Sequence, residues 1–162
     1  MVEPRDLGQL AQSFVDIGER VGRAEQGRRL AARFESRLAA LREQYRRDVP
    51  LKVFYQVWDQ PLYTLGGRQI VSNALKVCGA ENVFSDLGLP APQVGVEAVL
   101  QRNPEVILVS EPAQAGAWKA WPQLAAVGKG QVWPVPDRGL ERPSFQMLGA
   151  TEKLCKLLED AR

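Results

Sequence analysis

The sequence predicts an α/β fold in which a parallel sheet lies between two layers of helices. After Leu51, short segments rich in β-branched and aromatic residues alternate with amphipathic helical segments, as in parallel α/β proteins. One strand candidate, VILV at 106–109, is a continuous apolar run, which is typical of a central strand covered on both faces. Before Pro50, apolar residues recur at helical spacing, so a long amino-terminal helix is expected to precede the sheet.

The amino-terminal helix is predicted over residues 6–48. About 40 residues at ~1.5 Å each would make a rod of roughly 60 Å, longer than a small domain is wide. Gly18, Gly22 and Gly27 complicate this interpretation, because a glycine costs about 1 kcal/mol in a helix interior. A break into two helices, or a helical hairpin, is therefore the alternative, whereas a strict heptad repeat does not persist.

The first α/β unit covers residues 51–84 and is predicted to be a strand, an aromatic loop and a helix. Strand-forming residues at 52–57 are followed by a loop that carries Trp58 and Tyr63, and helical spacing then runs through 70–79. Loops and helix N-termini converge at the carboxyl ends of strands in open α/β sheets, so these aromatic side chains suggest a ligand-binding surface. The residues leave open the alternative that both rings cover the core.

The rest of the chain continues the alternation. Strands are predicted at 81–84, 106–109 and 131–135, and helices at 95–102, at 117–126 with an irregularity at Pro122, and at 144–160. The predicted fold class is thus α/β, a three-layer Rossmann-like parallel sheet preceded by a long helix. Neither GxGxxG nor GxxxxGK follows a strand, so the sequence does not support a nucleotide-binding site.

Composition excludes several classes of function. The 162 residues include no histidine, which rules out a histidine base, a histidine metal ligand and a Ser-His-Asp triad. The formal net charge is only +2, and glutamates are interleaved with the arginines of 20–47, so no nucleic-acid partner is expected. No run is long and apolar enough for membrane insertion, and the first residues lack a signal-peptide layout, so this chain alone is expected to stay in the cytoplasm.

The two cysteines, Cys78 and Cys155, are too few for a zinc site without histidine. They are compatible with one disulfide or with two buried thiols, and spacing alone favours the thiols. No metal site and no cofactor are therefore predicted.

Three loops are expected at the carboxyl edge of the sheet, at 57–67, 110–116 and 136–144. They contribute a mixed aromatic and charged rim: Trp58, Tyr63, Glu111, Trp118, Asp137, Arg138, Glu141 and Arg142. Asp137 and Glu141 have the chemistry for paired acid–base work, but no nucleophile with an activating base accompanies them. We therefore expect a binding surface without catalytic residues, and not an enzyme.

Several motifs occur in a characteristic order. After the 51–84 unit come PAPQV at 90–94, NPEVIL at 103–108 and ERPS at 141–144. This order resembles the carboxyl-terminal lobe of periplasmic cobalamin-binding proteins, which belong to the metal-chelate class of substrate-binding proteins for ABC importers. The resemblance covers roughly residues 2–160, and its specificity lies in the combination of motifs.

The resemblance implies a domain organisation and a function. Residues 6–48 would be the helix that joins two lobes, and 49–162 the carboxyl-terminal lobe, with the amino-terminal lobe and the secretion signal absent from this fragment. The full-length parent would be periplasmic. It would be the substrate-binding component of an ABC transporter, and this lobe would form half of a cleft that delivers cobalamin or a related corrinoid to the permease subunits.

The resemblance also implies ligand-binding residues. Tyr63 corresponds to an aromatic residue that contacts the ligand, and the loop with Asp137 and Arg142 corresponds to one that carries an Asp and an Arg near it. The broad, partly apolar corrin ring with its amide rim suits such a surface. Ala91 stands where a cobalamin-binding relative has Trp, and we expect Trp58 to replace the lost ring.

Two further assignments follow from the resemblance. The family carries a surface glutamate on each lobe that docks into arginines of the permease, and QVGVE at 93–97 matches that motif, which makes Glu97 a permease-docking residue. The alternative is that Glu97 only complements the positive end of a helix dipole. The family also places a disulfide at positions that match Cys78 and Cys155.

Two rival functions remain open at this stage. The same fold serves iron-siderophore and haem importers, although haem proteins usually contribute a Tyr or His iron ligand and this chain has no His. The rival of another class is an autonomous α/β regulatory or enzymatic domain whose amino-terminal helix mediates oligomerisation.

Overall fold

The computed structural model describes residues 6–59, 62–64, 70–87, 92–136 and 147–161. Its elements are α1 (Leu7–Arg20), α2 (Ala24–Gln44), β1 (Leu51–Gln56), β2 (Trp58–Asp59), β3 (Leu62–Tyr63), α3 (Ile70–Val77), β4 (Ala80–Asn82), α4 (Val96–Arg102), β5 (Val106–Val109), a 3₁₀ helix (Pro112–Ala120), α5 (Ala125–Gly128), β6 (Val132–Pro134) and α6 (Met147–Glu159). None of the helices in these ranges has the length and apolar character that crossing a membrane requires.

Four strands form a parallel sheet in the order β4-β1-β5-β6. Val53 of β1 is paired with Asn82 of β4 on one side and with Val106 of β5 on the other. The predicted central strand is confirmed, because β5 lies between β1 and β6 and every one of its residues is buried. Gln56 and Val109 are paired at the ends of β1 and β5, and we call this end of the sheet the carboxyl edge.

Alternate residues of the inner strands enter two separate cores, one on each face of the sheet. Val53 and Tyr55 pack with residues of α1, α2, α3 and α6. Phe54 and Ile107 pack on the opposite face, with residues of α4, the 3₁₀ helix and α5. This alternation follows from the period of two in a strand. The predicted three-layer α/β architecture is confirmed.

The amino-terminal segment forms two helices, so the break that the glycines made possible is present and a single rod over 6–48 is not. α1 ends at Arg20 and α2 begins at Ala24. Between them Gly22 has a φ of 73°, a left-handed conformation that glycine adopts without steric cost. The alternative of a helical hairpin is what the structure shows, while the role of this segment as a connection between lobes stays a prediction.

Close backbone contact holds the hairpin together. A Cβ atom on Gly27 would lie 2.5 Å from the carbonyl oxygen of Phe14 and 3.2 Å from the Cα of Gly18. The rings of Phe14 and Phe34 meet edge to face, with their centroids 5.4 Å apart. Glycines that weaken a long helix therefore also allow α1 to fold back onto α2, which is why the hairpin is preferred.

Some predicted boundaries also need correction. The helix expected at 117–126 is instead a 3₁₀ helix, Pro112–Ala120, followed by the single turn Ala125–Gly128. The strand expected at 81–84 is Ala80–Asn82, and the last helix is Met147–Glu159, whose predicted start at 144–146 lies outside the described residues. The 3₁₀ helix has a proline at its start and a capping box between Glu111 and Gln114, which together define its first turn.

A disulfide joins Cys78 to Cys155. Cys78 follows the last residue of α3, and Cys155 lies in α6, so the bond connects two helices on the same face of the sheet. Both cysteines are buried. The pairing implied by the family resemblance is thus present, and the alternative of two free thiols is not.

Candidate ligand-binding site at the carboxyl edge

The predicted aromatic loop contains a two-stranded antiparallel ribbon formed by β2 and β3. Trp58 is paired directly with Tyr63 across this ribbon. Residues that face each other in an antiparallel pair present their side chains on the same face, about 5 Å apart at Cβ. The two rings predicted to bind the ligand therefore share one face of the ribbon.

The exposure of Trp58 argues against a role of its ring as a lid on the core. Trp58 is 56% exposed, and Tyr63 is partly buried. Leu62, which alternates with Tyr63 along β3, packs instead against the core that contains Phe54. The ribbon thus presents its apolar anchor to the protein and its aromatic pair away from that core.

Hydrogen bonds fix the ribbon to the sheet and to the segment before α4. The hydroxyl of Thr64, which is fully buried, donates to the carbonyl oxygen of Tyr55 at 2.7 Å. The Thr64 backbone N–H donates to the carbonyl oxygen of Pro92 at 3.1 Å, and that of Val94 donates to the carbonyl oxygen of Leu62 at 2.9 Å. The ribbon that carries the aromatic pair is consequently held in place by backbone and buried side-chain hydrogen bonds.

Trp118 does not belong to the rim, which corrects the prediction from sequence. Its side chain is only 4% exposed, and its ring meets that of Phe54 edge to face at 5.8 Å between centroids. Its indole Nε1 donates to Oε1 of Gln56 at 2.7 Å. The periodicity of the sequence placed this residue near the edge but could not show that the 3₁₀ helix turns its ring inward.

Gln56 is the polar residue at this edge that the sequence interpretation missed. It is the last residue of β1 and is only 2% exposed. Its carbonyl oxygen accepts hydrogen bonds from the backbone N–H of Ser110 at 3.1 Å and from the Ser110 hydroxyl at 2.8 Å. A glutamine at the end of an otherwise apolar strand was the signal that could have identified it, because a buried polar side chain requires partners.

Of the acidic residues predicted at the edge, Glu111 lies within the described residues, and Asp137 and Glu141 do not. Glu111 begins the 3₁₀ helix, where its side chain and that of Gln114 form reciprocal capping bonds. This capping role explains Glu111 without a ligand. Asp137 and Arg142, predicted to lie near the ligand, fall outside the described residues, as do Arg138, Glu141 and Ala91.

Glu97 lies in the first turn of α4 and is exposed. An antiparallel bridge between Tyr63 and Gln93 places the chain just before α4 beside the aromatic ribbon. α4 then leads into the parallel strand β5, so its amino-terminal end lies toward the carboxyl edge. The glutamate and the aromatic pair therefore belong to the same end of the domain.

Arg102 and Asp86 form an ion pair, and the pKa values of both groups are shifted. The guanidinium of Arg102 donates to both carboxylate oxygens of Asp86, at 2.5 and 3.1 Å, and lies 4.9 Å from the ring centroid of Phe84. These hydrogen bonds lower the pKa of Asp86 and raise that of Arg102. The pair connects α4 to the turn after β4 and is a structural contact.

Among the described residues, no cluster of three acidic, cysteine or histidine side chains is arranged to hold a metal ion.

The fold defines the class of protein: an α/β protein whose parallel sheet is covered on both faces, and in this class ligands bind at the carboxyl ends of the strands. The sequence profile of the periplasmic binding protein family matches residues 2–136. The chain belongs to the periplasmic binding protein family, which confirms the resemblance inferred from its motifs.

Among its relatives the chain is similar to vitamin B12-binding proteins. The chain is 35% identical over 163 residues to the vitamin B12-binding protein of Vibrio cholerae, a match that covers 99% of this chain and 59% of the relative. It is 32% identical over 157 residues to the vitamin B12-binding protein of Yersinia pestis, covering 95% of this chain and 55% of the relative. The chain thus spans less than three fifths of the length of these curated relatives.

Solved structures agree with the family. The crystal structure of the periplasmic vitamin B12-binding protein of Vibrio cholerae superimposes with a TM-score of 0.85 at 35% identity, covering 97% of this chain and 63% of that one. A possible iron-binding periplasmic solute-binding protein from Staphylococcus epidermidis superimposes with a TM-score of 0.86 at 18% identity, covering 96% and 64%. The second match shows that this fold is shared with a binding protein named for a different ligand.

Proposed function

We propose that the chain is the carboxyl-terminal lobe of a periplasmic cobalamin-binding protein that delivers its ligand to an ABC importer. The observation that supports this most directly is the pairing of the exposed Trp58 with the partly buried Tyr63 at the carboxyl edge of the sheet. Relatives that are 35% identical over nearly the whole chain are named vitamin B12-binding proteins. In this proposal cobalamin is the transported ligand and not a cofactor, and the protein is not an enzyme.

The aromatic pair suits the chemistry of this ligand. A corrin ring is broad and partly apolar, and flat aromatic side chains bury such surface with a favourable stacking geometry. The rim of the ring carries amides, which require hydrogen-bonding partners when they leave water. In the proposal a second lobe covers the opposite side of the ligand, and Asp137 and Arg142, which lie outside the described residues, contribute polar contacts to it.

The position of Glu97 supports the transport part of the proposal. It is exposed on the first turn of α4, at the end of the domain that carries the aromatic ribbon. A carboxylate there would be available to an arginine of a permease subunit while the ligand lies in the cleft beside it. Docking and ligand release would then occur at the same end of the protein, which is the arrangement that delivery requires.

Calorimetry with cyanocobalamin tests the ligand assignment in the complete binding protein that contains this chain. Tyr63→Ala and Trp58→Ala are each expected to weaken binding by about 1 to 3 kcal/mol, about 5- to 150-fold, if the rings contact the corrin. Trp121→Ala is the matched control, because Trp121 is a partly buried tryptophan that follows the 3₁₀ helix and is not part of the ribbon. We expect its affinity to equal that of the wild type.

Haemin and a ferric siderophore serve as competing ligands in the same experiment. Tight binding of either one, with no heat from cyanocobalamin, would replace the cobalamin assignment by the rival specificity. Cyanocobalamin binding that survives both aromatic substitutions would retain the ligand but remove the aromatic pair from the site.

A further inference from the structure

We infer that Gln56 is a specificity-determining residue of the same site, whose side-chain NH2 group donates a hydrogen bond to an acceptor oxygen on the rim of the ligand. This inference rests on the proposed function and deepens it, because it adds a polar recognition group beneath the aromatic pair. Gln56 ends β1 only two residues before Trp58, at the carboxyl edge.

The orientation of the Gln56 amide is determined by Trp118. The indole Nε1–H of Trp118 is a donor only, and it lies 2.7 Å from the Gln56 side chain. The amide must therefore turn its oxygen toward the indole, and its NH2 group points to the other side. Since Gln56 is only 2% exposed and Trp118 only 4%, this arrangement is locked by the packing around it.

The NH2 group has unused donor capacity. Among the described residues, the bonds of Gln56 beyond the β ladder use its two oxygens, with Ser110 at the carbonyl and Trp118 at Oε1. In the same part of the chain, no completely buried side-chain nitrogen or oxygen lacks a partner. Nε2 of Gln56 therefore has no partner among the described residues and is not completely enclosed by them.

The direction of that contact follows from the neighbours of Gln56. Phe54 precedes it on the same face of β1, and the ring of Trp118 packs against Phe54. On the flank toward β5, Ser110 binds the Gln56 carbonyl. Gln56 ends β1 where the ribbon with Trp58 leaves the sheet, so in this inference the NH2 group faces that edge.

A fixed NH2 group at such a position selects for acceptor atoms. It presents two donors and no acceptor, so an amide carbonyl or a carboxylate on the ligand rim would satisfy it. A ligand that covered the edge without an acceptor would leave the donor buried and unpaired, which is the basis of strong discrimination. The corrin rim, with its several amide carbonyls, fits this requirement.

Gln56→Glu is the decisive substitution, because it retains an oxygen for Trp118 and removes both donors. At pH 8 we expect the affinity of the complete binding protein for cyanocobalamin to fall about 10- to 100-fold, because a carboxylate has no N–H group to offer the ligand. Gln131→Glu is the matched control. Gln131 is 3% exposed and directly precedes β6, so it lies at the opposite edge of the sheet. Its side-chain amide donates to the carbonyl oxygen of Glu105. Its affinity should stay within about twofold of wild type.

Trp118→Phe separates a ligand contact from a purely structural role. It removes the indole donor and leaves the NH2 group of Gln56 in place. If Gln56 acted only by supporting Trp118, Trp118→Phe would weaken binding at least as much as Gln56→Glu, and the inference would be overturned. We expect the smaller effect from Trp118→Phe.

A measurement on the wild-type protein avoids any loss of folding in the variants. The side-chain amide signals of Gln56 in a ¹⁵N spectrum are identified by their absence in Gln56→Met. Cyanocobalamin should shift these signals and slow their exchange with solvent, and unchanged exchange in the saturated complex would contradict the inference. Wild-type protein that does not bind cyanocobalamin rejects the proposed function as well, whereas binding that is sensitive to Tyr63→Ala but not to Gln56→Glu rejects only the role of Gln56.

Discussion

The hydroxyl of Thr64 donates a 2.7 Å hydrogen bond to the carbonyl oxygen of Tyr55, and this bond ties the aromatic ribbon to the end of β1. Thr64→Val keeps the shape of the side chain and leaves the buried carbonyl without this donor. We expect a loss of about 1 to 3 kcal/mol in the free energy of unfolding, measured by urea denaturation. Cobalamin affinity should fall too, because the ribbon carries Trp58 and Tyr63.

Thr151→Val is the matched control for this prediction. Thr151 is equally buried, and its hydroxyl donates at 2.8 Å to the carbonyl of Met147 within α6. That substitution should affect stability without affecting ligand affinity. Equal affinities for Thr64→Val and wild type would show that the ribbon keeps its position without the Thr64 hydroxyl.

The packing of α1 against α2 predicts that Gly27→Ala changes stability in the direction opposite to helix propensity. Gly27→Ala would gain about 1 kcal/mol from propensity alone, but its Cβ would lie 2.5 Å from the Phe14 carbonyl oxygen. We expect a net destabilisation of about 1 to 3 kcal/mol, because the helices must separate. Thermal unfolding followed by circular dichroism measures it.

Gly149→Ala is the control for the hairpin, since nothing lies within 4 Å of a Cβ at that position in α6. It should stabilise the protein by about 0.5 to 1 kcal/mol. If Gly27→Ala and Gly149→Ala were both stabilising, α1 would not be packed against α2 in solution.

The disulfide between Cys78 and Cys155 closes a loop with a sequence separation of 77 residues. Loop-entropy arguments give a stabilisation of roughly 4 to 5 kcal/mol for a loop of this length. We expect dithiothreitol to lower the midpoint of urea unfolding in the wild type and to have no effect on the double variant Cys78→Ala, Cys155→Ala. Two reactive thiols in denatured, unreduced protein from periplasmic expression would contradict both the bond and the periplasmic assignment.

Glu97→Gln should separate ligand binding from delivery. Because Glu97 is exposed on the first turn of α4, its neutralisation should leave cobalamin affinity unchanged and weaken the complex with the reconstituted permease. The loss should be largest at low salt, where charge pairs at a rim contribute most. Glu43→Gln, at an exposed position near the end of α2, should change neither measurement.

Much of the layer arrangement was predictable from local patterns. The run from Val106 to Val109 has no polar face, so it had to be a strand covered on both sides, and β5 is central. The family and the disulfide followed from the order of motifs, which local physics alone does not supply. Spacing alone had favoured two buried thiols for Cys78 and Cys155, and the structure joins them.

The sequence by itself determined which segments must be buried and which aromatic residues leave the carboxyl end of β1, because periodicity and strand direction are local properties. Only the tertiary structure decided that α1 folds back on α2, that Trp118 turns into the core, and that Trp58 and Tyr63 share one face. Each of these depends on contacts between residues that are distant in the chain or on the register of a pair of strands. Gln56 shows the same dependence, since its orientation is determined by an indole 62 positions further along the chain.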